Sequence, residues 1–106
     1  MQYLIGIDMG TQGTKASLYQ EDGKAVCHAF EECRLLTGPN GEIEQDPEEL
    51  YGSVIHTIRE LLAKSPNAGE SVAGIAIAAQ MAGVMAIDED WNAVTPYDSW
   101  LDTRCG

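Results

Sequence analysis

Hydrophobic positions recur with two different periods along this chain, and the change of period divides it into elements. Tyr3 to Ile7 is a short, nearly continuous apolar run of β-favouring residues, which predicts a buried central strand. From Thr14 the pattern alternates, with Thr14, Ala16 and Leu18 on one face and Lys15, Ser17 and Tyr19 on the other. A period of two marks a strand. Glu21-Asp22-Gly23 is a turn signal, and Lys24 to Glu32 alternates again, with Val26, His28 and Phe30 sharing a face. The expectation is a three-stranded antiparallel meander.

Gly38-Pro39-Asn40-Gly41 marks a loop by composition. The period then changes to that of a helix. Asp46 is suited to cap its start, Pro47 to occupy its first position, and Glu49 to complete a capping box. Leu50, Val54, Ile55, Ile58, Leu61 and Leu62 form one apolar stripe, Lys64 favours the C-terminal end of the dipole, and Pro66 stops the element. Helix is expected over 47–64.

Val72 to Ala79 is an apolar run of strand length. Following a helix, it predicts a parallel strand buried on both faces and reached by a right-handed crossover. Gln80-Met81-Ala82-Gly83 is a turn at its end. Val84–Ile87 and Ala93-Val94 flank Asp88-Glu89-Asp90-Trp91-Asn92, which predicts a second hairpin. Tyr97, Trp100 and Leu101 have no following element to bury them, so the chain is expected to be a fragment of a longer one.

Charge narrows the function classes. Seventeen acidic and six basic residues among 106 give a net charge of −11. Such a surface repels phosphate backbones and anionic lipid, so neither nucleic acid nor a membrane surface is an expected partner. It does not oppose a nucleotide, because backbone amides and a bound Mg²⁺ supply positive charge locally. Met1-Gln2-Tyr3-Leu4 has no basic region ahead of a long apolar run, so no secretory leader is expected, and no apolar stretch approaches a membrane span. Cys27, Cys33 and Cys105 lack metal-site spacing and fit a reducing cytoplasm.

The chemistry concentrates in Ile5-Gly6-Ile7-Asp8-Met9-Gly10-Thr11-Gln12-Gly13-Thr14-Lys15. No stretch fits the P-loop pattern, and the dinucleotide fingerprint must open a helix, whereas Thr14 onward alternates as a strand. Gly10 and Gly13 are expected to take positive φ and form an anion-binding nest, with donors from Thr11, Thr14 and Lys15. From the residues alone two readings stand. One is a plain type I′ or II′ hairpin with a solvated carboxylate; the other is a phosphate cradle in which Mg²⁺ bridges Asp8 to the phosphates.

Ile5 to Lys15 resembles the first phosphate motif of the FGGY carbohydrate kinases, in the superfamily that also holds actin and the heat-shock chaperone ATPases. The resemblance continues in order through Glu44-Gln45-Asp46-Pro47, Gly74-Ile75 to Gln80-Met81, and Trp100-x-Asp102-x-Arg104. It implies an α/β fold of the ribonuclease H-like, actin-like ATPase class, with residues 1–106 forming the N-terminal part of the first kinase domain. It further implies ATP and Mg²⁺ as cofactors and a small sugar or polyol as acceptor. Asp8 would act through Mg²⁺, and Gly10, Thr11, Gln12, Gly13, Thr14 and Lys15 would line the phosphates.

Met81 and Ala82 would fall where xylulose kinases contact the sugar, and Trp100, Asp102 and Arg104 by the sugar cleft, with Asp102 and Arg104 as an ion pair. The family pattern Gln-Met-His-Gly reads Gln80-Met81-Ala82-Gly83 here, which disfavours xylulose, and the Arg-Glu pair of glycerol kinases is absent. In the family the proton-accepting aspartate and the adenine-binding domain lie downstream, so this stretch by itself is expected to be inactive. The alternatives are a chaperone-like or actin-like ATPase of the same superfamily and a non-catalytic nucleotide-binding or regulatory domain of the same fold. His28, His56 and the Glu31-Glu32 and Glu48-Glu49 pairs are read as structural or solvated, Met81 and Met85 without the resemblance as core filler, and the open sheet edge as favouring homo-oligomers.

Overall fold

The structure, a computed structural model, describes residues 1–102 and Arg104; Cys105 lies outside the described residues. The three meander strands are present as β1 (Tyr3–Met9), β2 (Gly13–Gln20) and β3 (Ala25–Glu32), antiparallel in sequence order. Helix α1 is Pro47–Lys64. After a short 3₁₀ turn at Gly69–Ser71, the strand Val72–Ala79 pairs parallel with β1.

Two further short strands lie between β3 and α1, namely β4 (Leu36–Thr37) and β5 (Ile43–Gln45), so Val72–Ala79 is β6 and Tyr97–Asp98 is β7. The main sheet has the order β3-β2-β1-β6, and a small antiparallel sheet has the order β4-β5-β7.

Helix α1 starts where the sequence places it. The Asp46 carboxylate accepts from the Glu48 amide at 2.9 Å, and Pro47 occupies the first turn. Glu49 does not close a capping box. Its carboxylate instead accepts from the Arg34 backbone and guanidinium at 2.8 and 3.0 Å, because the chain leaving β3 passes this end of the helix. Lys64 reaches across to donate to the His28 carbonyl at 2.6 Å, which ties the far end of the helix to β3.

The core lies between α1 and one face of the sheet. It is built from Ile5, Ile7, Ala16, Leu18, Ala29, Leu61 and Ala68. The most deeply buried line along the helix is Ser53, Thr57 and Leu61, spaced four residues apart, rather than the bulkier stripe the sequence suggests. Both hydroxyls are satisfied within the helix, Ser53 donating to the Leu50 carbonyl and Thr57 hydrogen-bonding the carbonyls of Ser53 and Val54. Leu50, Val54, Ile55, Ile58 and Leu62 flank this line and are half-buried.

Two expectations are corrected, for β6 and for the segment 84–94. Strand β6 is parallel to β1 but is not buried on both faces. Ile75 and Ile77, in register with Ile5 and Ile7, stay 53% and 59% exposed because α1 packs over β2 and β3 and β6 is the edge strand. The face of β3 holding Val26, His28 and Phe30 is likewise exposed. The segment 84–94 turns back through isolated bridges, Val84 to Asp98 and Ile87 to Ala93, so it is a hairpin-like excursion without regular strands. Among the described residues no helix is long and apolar enough to cross a membrane.

Candidate functional site

Strands β1 and β6 run parallel and end side by side, at Met9 and Ala79. Each then enters a turn, at 10–13 and 80–83. Crevices beyond the carboxyl ends of parallel strands are where α/β sheets hold ligands. Here a cavity of about 450 Å³ opens between the two turns, lined by Asp8, Met9, Gly10, Thr11, Ala79, Gln80, Met81, Ala82 and Trp100. A second cavity, of about 420 Å³, lies on the sheet face away from α1 and is lined by Asp8, Lys15, Ser17, Tyr19 and neighbours on β1 and β6. Asp8 lines both.

The first turn is not the hairpin the sequence suggests. Gly10 donates to the Gly13 carbonyl at 2.9 Å, yet neither glycine has positive φ. Thr11 and Gln12 do not have it either, so types I′ and II′ are both excluded. Gly13 is required for another reason. A Cβ there would stand 2.4 Å from the Glu31 carbonyl oxygen, since β2 and β3 close together at this point. The amides of Thr11 and Gln12 donate to no acceptor among the described residues, which leaves two donors at the tip.

The residues proposed to line the phosphates divide by position. Asp8, Gly10 and Thr11 face the cavity between the turns, Lys15 stands beside Asp8 across the antiparallel register, and Gln12 faces a separate hollow with Cys33 and Arg34. Thr14 is withdrawn from any ligand. It is 1% exposed, and its hydroxyl lies 2.7 Å from that of Ser53 on α1. The Asp8 carboxylate is exposed and makes no ion pair among the described residues.

On the other side, Met81, Ala82 and Trp100 line the same cavity as Asp8. Ala82 has a left-handed backbone, with φ of 60°. The indole of Trp100 donates to the Thr11 hydroxyl at 3.0 Å, so the segment near residue 100 closes onto the first turn.

Asp102 and Arg104 are not among the residues lining that cavity. They form the anticipated ion pair, and the guanidinium also binds Glu44 at 2.9 Å and Asp98 at 3.2 Å. Asp102 further accepts from the Ile43 amide at 3.0 Å. The hydrogen bonds from Arg104, side chain first and backbone second, hold the Asp102 carboxyl far below the usual range, and Asp102 and Glu44 in turn raise the Arg104 guanidinium. This cluster clamps Asp98, Asp102 and Arg104 to β5.

Sequence reasoning missed one residue. Gln45, 1% exposed, donates through Nε2 to the Thr11 carbonyl at 3.0 Å and accepts through Oε1 from Gln80 Nε2 at 2.8 Å. It thereby touches both turns. The signal available was its place in Glu44-Gln45-Asp46-Pro47, one residue ahead of the helix cap. The acceptor at the end of this chain, Gln80 Oε1, is buried and meets no donor among the described residues.

His28 and His56 have structural partners, Ser17 at 2.9 Å and Glu31 at 2.9 Å. Among the described residues no group of three or more His, Cys, Asp or Glu side chains converges to hold a metal.

The fold has close counterparts. A gluconokinase from Bacillus subtilis is 36% identical over 102 residues, covering 96% of this chain and 20% of the relative. A xylulose kinase from Brucella ovis superposes with a TM-score of 0.92 at 31% identity, over 97% of this chain and 22% of its own. The ADP-bound glycerol kinase of Plasmodium falciparum superposes with a TM-score of 0.87 at 26% identity, over 98% and 21%. The chain thus spans about a fifth of the length of these proteins, and their shared fold matches the actin-like α/β class expected from the sequence. Residues 3–106 match the N-terminal domain model of the FGGY family of carbohydrate kinases, and the chain belongs to that family.

Proposed function

We propose that this chain is the N-terminal part of an ATP-dependent kinase that transfers the γ-phosphoryl group to a hydroxyl of a sugar or polyol. The observation that carries this reading is the position of Asp8, which borders the cavity between the two turns and the cavity beside Lys15. A phosphate end approaching the 10–13 turn meets the amides of Thr11 and Gln12 and the close backbone at Gly10. An acceptor lying against Met81, Ala82 and Trp100 shares the cavity with Asp8. Phosphoryl transfer asks little covalent chemistry of the protein and depends on holding donor and acceptor in line.

A divalent cation fits this donor set in one specific way. Asp8 is a single exposed carboxylate, which suits Mg²⁺ because that ion keeps most of its water and takes one or two carboxylates together with phosphate oxygens. When bound, it neutralises charge on the group being transferred. The Asp8 side chain would fix the ion's place, and Lys15 would add positive charge on the same sheet face. Thr14 contributes by supporting the turn from beneath through Ser53.

The relatives are named for gluconate, xylulose and glycerol, so the acceptor class here is a small polyhydroxylated molecule. Alanine at position 82 leaves the cavity wall without an ionisable group at that point. ADP release by the full-length protein, measured across a panel of sugar acids, ketoses and polyols, tests the reading. Turnover with at least one member is expected, and none with any of them would reject it.

A further inference from the structure

The backbone ladder between β1 and β6 ends at Met9 and Ala79. Beyond it, among the described residues, no backbone hydrogen bond crosses from the 10–13 turn to the 80–83 turn. What holds the two turns at a fixed separation is side chains. We propose that Gln45 is a positioning residue for phosphoryl transfer, its carboxamide tying the phosphate-side turn to the acceptor-side turn; this rests on the kinase reading above.

The direction of every hydrogen bond in the link is forced. The Thr11 carbonyl can only accept, so Gln45 must present Nε2 to it. Gln45 Oε1 then faces Gln80 and can only accept, so Gln80 must present its own Nε2. One carboxamide therefore spans both turns using its single donor group and its single acceptor atom. At neutral pH a glutamate carboxylate of the same length supplies only acceptors.

The mount for this side chain is rigid. Gln45 is the last residue of β5, pairs with Tyr97 in β7, and is followed at once by Asp46, the cap of α1. The Arg104 cluster fastens the same small sheet through Glu44 and Asp98. Tyr97 supports the second turn as well, since a Cβ on Gly83 would fall 1.7 Å from its hydroxyl oxygen.

The two turns differ in how firmly they are held. Thr11 is bound at its carbonyl by Gln45 and at its hydroxyl by Trp100. The second turn carries a left-handed alanine and the orphaned acceptor of Gln80. An unmet buried acceptor and a left-handed non-glycine residue each disfavour the conformation that contains them. The 80–83 turn is therefore the end that moves when the link is cut. Because in-line transfer needs reacting atoms at about 3–3.5 Å, and a 1 Å misplacement costs about 10²-fold, loss of the link should appear in the transfer step rather than in binding.

Full-length Gln45→Leu and Gln45→Glu proteins test this. For Gln45→Leu, kcat for sugar phosphorylation should fall on the order of 10²-fold, while the Kd values for nucleotide and sugar stay within about twofold and sugar-independent ATP hydrolysis is retained. For Gln45→Glu, the carboxylate offers Thr11 no donor, but the protonated acid carries the same donor and acceptor as the amide. Its kcat relative to wild type should therefore be low at pH 8 and recover as the pH falls toward 5. A kcat for Gln45→Leu within threefold of wild type overturns the role of Gln45 and leaves the kinase reading standing. So does a fall matched by an equal loss of binding sites, which is what a purely structural role gives. Absence of turnover in the wild-type protein overturns the kinase reading and this role with it.

Discussion

The hydroxyls of Thr14 and Ser53 meet at 2.7 Å in the space between the first turn of β2 and helix α1. Ser53 gives its proton to the Leu50 carbonyl at 2.6 Å, so Thr14 is the donor of the pair. The bond joins the strand that leaves the phosphate-side turn to the helix beneath it. A double-mutant cycle of Thr14→Val and Ser53→Ala, followed by urea unfolding, should give a coupling of about 1 kcal/mol. Additive single effects would mean that the two hydroxyls are satisfied independently.

Gly13 is a site of close approach. In Gly13→Ala, the added methyl meets the Glu31 carbonyl at 2.4 Å and the Glu32 Cα at 3.0 Å, and backbone cannot rotate away as a side chain can. The expected cost is about 2–3 kcal/mol of stability, read as a lower urea midpoint. Gly23→Ala gives a control of a different kind, because its cost comes from a φ of 91° with nothing within 4 Å.

Asp102 makes a pH signature. Hydrogen bonds from the Arg104 side chain and backbone depress its carboxyl in the folded state. A depressed carboxyl contributes stability that is fully present above its unfolded pKa of about 4 and is lost as pH falls through the folded value. The stability difference between wild type and Asp102→Asn should therefore hold constant from pH 7 to about 5 and shrink only in stronger acid. Urea unfolding of both proteins across that range checks it, and a difference that vanishes above pH 5 would contradict the clamp.

Asp8 is exposed and lies outside the core, so its removal separates chemistry from folding. Full-length Asp8→Asn should unfold at the wild-type midpoint within error while kcat falls by about 10²–10³-fold. Unchanged turnover would reject the role proposed for its carboxylate.

The parts of this molecule that were legible in its sequence are those set by neighbours in the chain. Asp46, Pro47 and the apolar spacing that follows specify α1 within a single stretch, and the alternation in β2 and β3 specifies strands. The burial of β6 was not legible, because an apolar run states what a strand tolerates and not what is laid against it. The role of Gly13 was misread for a similar reason, since the demand comes from β3 rather than from the turn itself. Gln45 was the most hidden, a polar residue before a helix whose partners Thr11 and Gln80 lie 34 and 35 positions away. Met81, Ala82 and Trp100 were reachable through family resemblance and do share the cavity with Asp8. Asp102 and Arg104 came with them, yet the structure ties them to Glu44 and Asp98.

The left-handed backbone at Ala82 separates shape from identity in the wall of the cavity. A β-branched residue would strain the turn there, but glycine, asparagine or histidine enters that region of φ, and so leaves the course of the turn open, at least as readily as alanine. Its methyl group borders the space shared with Asp8 and lies outside the core. On the kinase reading proposed above, exchange among residues that tolerate this backbone would change the cavity wall beside Asp8 without touching the core. A family that phosphorylates many small acceptors on one framework can diversify from such a point.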